Sequence, residues 1–144
     1  MGRRVAIVAT GQTDHVSRRT DINVAELARE GVDRCLASAG LTLADVDAFV
    51  VGNMEMFEGI NMPDQWMAST LGAAGKPLFK LNTGGTVGAS TAVAATQLLA
   101  AGTFRRIVSL PSALRRCSVA GAGLRDGELR VRFAPDPDLW PRTR

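Results

Sequence analysis

Apolar and polar positions along the chain alternate in a rhythm of short strands and longer helices. Residues 5–9 (VAIVA) form a short run rich in β-branched side chains that ends at Thr10 and Gly11, the pattern of a strand buried on both faces. After a polar loop, Asn23 stands three residues before Glu26, the spacing of a reciprocal capping box. Val24, Leu27, Ala28, Val32, Leu36 and Ala39 recur at helical spacing, and Gly40 supplies a left-handed stop. Residues 48–52 (AFVVG) read as a second buried strand. A Met-rich stretch follows, and Pro63 opens a short helix carrying Trp66, Met67 and Leu71. Residues 77–82 read as a third strand, residues 89–101 as a helix stopped by Gly102, and residues 106–110 as the start of a fourth strand.

This order predicts an α/β fold, βαβαβαβ, with a mostly parallel sheet and helices packed on it. The helix after the third strand is peculiar. From Gly88 to Ala101 it carries no charge and places small residues on every side. A helix of that kind is expected to be buried all round, which requires two sheets or a partner subunit.

The net charge of +3 conceals an uneven distribution. Residues 1–104 hold 8 basic and 10 acidic side chains, whereas residues 105–144 hold nine Arg, no Lys and four acids. Four of the six prolines also fall in the second stretch. We therefore divide the chain into residues 1–104, the βα-patterned part, and residues 105–144, the start of a fourth strand followed by an irregular Arg/Pro-rich tail. At 46% hydrophobic residues the chain is not wholly disordered, and two cysteines make no disulfide scaffold. No apolar run reaches the ~18 residues of a membrane span. Arg3-Arg4 followed by an apolar run lacks the length and cleavage site of a signal peptide, so a cytoplasmic location is expected.

The segment most able to carry chemistry is the glycine-rich turn between the third strand and its helix. Asn82, Thr83, Gly84, Gly85 and Thr86 are the substrate-binding candidates, because glycines allow close backbone approach and a helix start offers unpaired N–H groups to an anion. Close packing at a crowded helix start explains the same glycines. The spacing is neither a P-loop nor a dinucleotide fingerprint. His15 reads as surface, Cys35 as core, and the Asp45/Asp47 and Glu55/Glu58 pairs as loop charges without metal-ligand partners. Met54, Met56, Met62 and Met67 read as packing or as the lining of an apolar channel. No metal and no cofactor are expected.

Several stretches together resemble the N-terminal part of the thiolase superfamily, in its lipid-transfer or sterol-carrier-associated, acetyl-CoA acetyltransferase-like branch. They are VAIVATGQT (5–13), ELAREGV (26–32), AGLT (39–42), DVDAFVVGN (45–53), MEMFEGIN (54–61) and LNTGGT (81–86). The resemblance implies a layered αβαβα fold, acyl-CoA or lipid-CoA esters as substrate, and a homo-oligomer or small partner subunit. It places Gly85, beside Thr86, at the position of the nucleophilic cysteine, and the family's C-terminal catalytic half has no counterpart here. The expectation is a truncated thiolase-like acyltransferase or lipid-transfer protein, inactive by itself and without a confident catalytic residue. The alternative is a non-enzymatic interaction or remnant protein with a basic tail. For residues 105–144 three accounts stand: out-of-frame translation, which we favour, an Arg-rich binding end, or a capping element for a shortened domain. No nucleic-acid motif accompanies the arginines.

Overall fold

The computed structural model describes residues 3–14, 19–53, 62–111, 117–125 and 128–135. The chain divides into two compact units, Met1–Ala113 and Leu114–Arg144.

Within the first unit, helix α1 (Val24–Ser38) begins where the capping box requires. The Asn23 side chain accepts from the N–H groups of Ala25 and Glu26, while the Glu26 carboxylate accepts from the Asn23 N–H. These contacts satisfy three donors that a helix start otherwise leaves open. Gly40, at φ +64°, lies just past its end. Strand β1 (Ala48–Gly52) is buried along its whole length. Helix α2 (Pro63–Leu71) starts on proline and stops at Gly72, at φ +75°. Strand β2 (Leu78–Leu81), helix α3 (Val87–Ala100) and strand β3 (Ile107–Pro111) complete the unit.

The three strands form a parallel sheet in the order β2-β1-β3. Alternation along β1 sends its side chains to two different layers. Phe49 and Val51 join Val108 and the helix residues Val32, Leu36, Met67 and Leu71 in one core. Val50 and Gly52 belong to the other face, where Val87 and Thr91 of α3 close over Gly52. The result is a small open α/β sheet with α1 and α2 on one side and α3 on the other.

Two expectations fail in this unit. Residues 5–9 are not a strand. No described strand flanks them to supply a ladder. The nearby backbone tie lies just before them, the Arg3 N–H donating to the Ala100 carbonyl (3.0 Å), and Ile7 and Val8 are 48% and 72% exposed. Helix α3 is buried on one side only, through Val87, Gly88, Thr91 and Ala95. Ala89, Ala92, Val93 and Gln97 are exposed, because a single sheet covers a single helix face.

The second unit corrects the expectation of an irregular tail. Strands β4 (Cys117–Arg125) and β5 (Glu128–Pro135) pair antiparallel, with a register shift between Val119 and Gly121. The register sets Leu124 opposite Leu129, Ala122 opposite Val131 and Val119 opposite Phe133, while Arg130 and Arg132 stand opposite Gly123 and Gly121. That two-residue alternation of apolar residues with arginine is a strand signal that the high Arg and Pro content hides. Residues 136–144 lie outside the described residues. Among the described residues no helix is long and apolar enough to cross a membrane.

Candidate functional site

The turn between β2 and α3 is built by its glycines and threonines. Gly84 takes φ +59°, a left-handed conformation that side chains disfavour. Residues Gly84–Thr86 form one 3-10 turn that runs directly into α3. Thr86 Oγ1 donates to the Thr83 carbonyl (2.9 Å), and Thr83 Oγ1 donates to Ser90 Oγ (2.8 Å), which ties the turn to the first turn of the helix. Asn82, Thr83, Gly84, Gly85 and Thr86 are all exposed. A β-carbon at Gly84 or Gly85 would meet nothing within 4 Å, so crowding does not explain either glycine. Backbone conformation explains Gly84, and neither reason applies to Gly85.

The remaining candidates are dispersed. His15, Met54, Glu55, Met56 and Glu58 lie outside the described residues. Met67 is buried in the core and Met62 is exposed, so these two do not line a common channel. The Cys35 thiol is partly buried, and desolvation pushes its pKa up, away from nucleophilic use. The acidic pair has structural work. Asp45 accepts from the N–H and hydroxyl of Thr42 (both 2.9 Å), capping a 3-10 turn. Asp47 Oδ2 accepts from the backbone N–H groups of Arg105 (2.7 Å) and Arg106 (2.9 Å), clamping the entry to β3. These donors hold both carboxyls below the usual carboxylate range. Among the described residues no three His, Cys, Asp or Glu side chains are grouped to hold a metal.

A different arrangement emerges at the opposite end of α3. The N-terminal segment and the end of α3 enclose an open cavity of about 330 Å³. Arg3, Arg4 and Arg105 line it together with Val5, Leu99 and Phe104. Sequence reading missed this grouping because Arg105 is a hundred residues from the Arg3-Arg4 pair. The legible signal was that pair, read only as the flank of an apolar run.

Comparison with known proteins changes the assignment. Residues 95–133 match the family model of an HSP20-like domain found in ArsA. A 46-residue stretch, 32% of this chain and 12% of the relative, is 76% identical to an uncharacterized protein of Streptomyces coelicolor. A 44-residue stretch, 31% of this chain and 10% of the relative, is 57% identical to a protein of Mycobacterium tuberculosis. The chain thus spans about a tenth of the length of these curated relatives. The matching family is HSP20-like rather than thiolase, which overturns the thiolase assignment together with its acyltransferase activity, lipid-transfer role and acyl-CoA substrate. The motifs behind that assignment, LNTGGT above all, serve needs common to α/β connections: a strand end, a glycine in the left-handed region and a helix start. The family match begins inside α3 and ends inside β5, so it takes in β3 and β4.

Proposed function

We propose that this chain works as a protein-interaction module that assembles through its C-terminal β-ribbon, with a second copy as the partner. The observation that carries this reading is the pairing of β4 with β5 alone among the described residues. A two-stranded ribbon is marginal in water by itself, and each strand offers an outer row of backbone donors and acceptors. Its apolar residues fall in one register set, Leu124/Leu129, Ala122/Val131 and Val119/Phe133. A set of that kind gains stability from a covering layer. The HSP20-like match over residues 95–133 takes in β4 and most of β5, so the ribbon lies within the matched stretch.

The test is sedimentation velocity of the full chain over a hundredfold concentration range. Dimers or larger assemblies are expected, and Val131→Lys should shift them to monomer. A chain that stays monomeric throughout, or a Val131→Lys variant that assembles like the parent, overturns the proposal.

A further inference from the structure

The cavity at the end of α3 combines three cations with an apolar lining. Arg3 is held in place: its N–H donates to Ala100, and its guanidinium carbon lies 3.1 Å from where a β-carbon on Gly102 would stand. Gly102, at φ +79°, leaves the flat guanidinium room to lie against the turn. Arg105, which also lines the cavity, has its backbone N–H fixed by Asp47. Among the described residues no carboxylate forms an ion pair with the side chain of Arg3, Arg4 or Arg105. This contrasts with Arg29 and Arg106, which each pair with a carboxylate, and with Arg19 and Arg34, which each pair with two. The Asp47 carboxylate lies close enough to feel the charge of Arg105, but its clamping oxygen accepts from backbone N–H groups.

Three arginines lining one cavity make it electropositive, and an anion is favoured there. Guanidinium groups suit carboxylate and phosphate because their planar fork donates two parallel hydrogen bonds. The rest of the lining is apolar: Val5, Val8, Leu99 and Phe104, with Val8 largely exposed. A purely inorganic anion would leave that surface in water. We propose that this cavity binds an anionic amphiphile, a carboxylate- or phosphate-headed molecule with a short apolar chain. Arg3, Arg4 and Arg105 hold its head, and the apolar lining receives the chain.

The experiment is calorimetric titration of the full chain with dodecanoate and dodecyl phosphate below their micelle thresholds, beside decanol and inorganic phosphate. Vesicles of phosphatidylglycerol and of phosphatidylcholine form a separate arm. Saturable binding of the two anionic amphiphiles is expected, with decanol and inorganic phosphate at least tenfold weaker. Arg4→Gln and Arg105→Gln should each weaken binding about tenfold. Val8→Asp should weaken it as well, and Arg29→Gln, which pairs with Asp33 on α1 and does not line the cavity, should leave it unchanged. Binding to phosphatidylglycerol vesicles in addition to the monomers makes a membrane the source of the ligand, whereas binding to monomers alone makes it a free molecule. Decanol binding as tightly as dodecanoate, unchanged affinity in both arginine variants, or binding to vesicles without binding to monomers would each overturn the cavity assignment.

Discussion

Gly52 ends the central strand directly beneath α3, where a β-carbon would collide with Thr91 Oγ1 and stand 3.0 Å from Val87 Cγ2. Thr91 cannot retreat easily, because it is fully buried and its hydroxyl donates to the Val87 carbonyl (2.6 Å). Gly52→Ala is therefore expected to destabilise the first unit by about 1–3 kcal/mol, the usual cost of overpacking. Urea denaturation provides the measurement. Gly85 is the contrast within the same chain. It has open space and no left-handed φ, so Gly85→Ala should stay within about 0.5 kcal/mol of the parent. A large loss at Gly85 with none at Gly52 would show that the stated packing of α3 on β1 is wrong. Composition cannot separate these two glycines, since each stands just before a polar residue, Asn53 or Thr86; only the tertiary neighbours distinguish them.

At the scale of elements, the entry to β3 depends on one carboxylate. Asp47 is ionised when it accepts from Arg105 and Arg106, so its pKa is lower folded than unfolded. The sign follows from linkage. The stabilisation is complete above the unfolded carboxylate value and is lost as pH falls through the lower folded value. Asp47→Asn should cost about 1 kcal/mol at neutral pH, modest because the group is exposed, and should flatten stability between pH 5 and the acid limit. Chemical denaturation as a function of pH tests both features, and an unchanged acid arm would remove Asp47 from this role. Helix α1 offers a cleaner case, for its cap was legible in the spacing of Asn23 and Glu26. Asn23→Ala should cost about 1 kcal/mol, measured as a fall in the urea midpoint. Residues 5–9 show where element reading stops. Their apolar pattern is compatible with a strand, but a strand exists only where another offers its ladder, and that is a property of tertiary neighbours.

At the scale of the whole molecule, charge distribution and assembly act against one another. The excess positive charge lies in residues 105–144, which include both strands of the ribbon. If copies meet through that ribbon, their arginines repel, and added salt screens the repulsion. Raising NaCl from about 50 mM to about 500 mM should move the sedimentation distribution toward assembled forms. Anion binding at the Arg3/Arg4/Arg105 cavity should weaken over the same range, so the two proposals respond to salt with opposite sign. Hydrogen exchange should also separate the two units. Amides of β1, covered on both faces, are expected to exchange slowest, and those of β4 and β5 should gain protection as protein concentration rises. Concentration-independent exchange in β4 and β5 would count against assembly through them.

Sequence by itself determined the local elements whose causes are local. The capping box of α1, the proline start of α2, the glycine stops at Gly40, Gly72 and Gly102 and the parallel βα order all follow from spacing and backbone preference. Tertiary structure decided the rest, because each remaining feature depends on residues far apart in the chain. It left α3 open on one face, denied a ladder to residues 5–9, paired an Arg-rich segment into two strands, and gathered Arg105 with Arg3 and Arg4 around one cavity. Hydrophobic pattern records which residues avoid water, but not which neighbours are present to cover them.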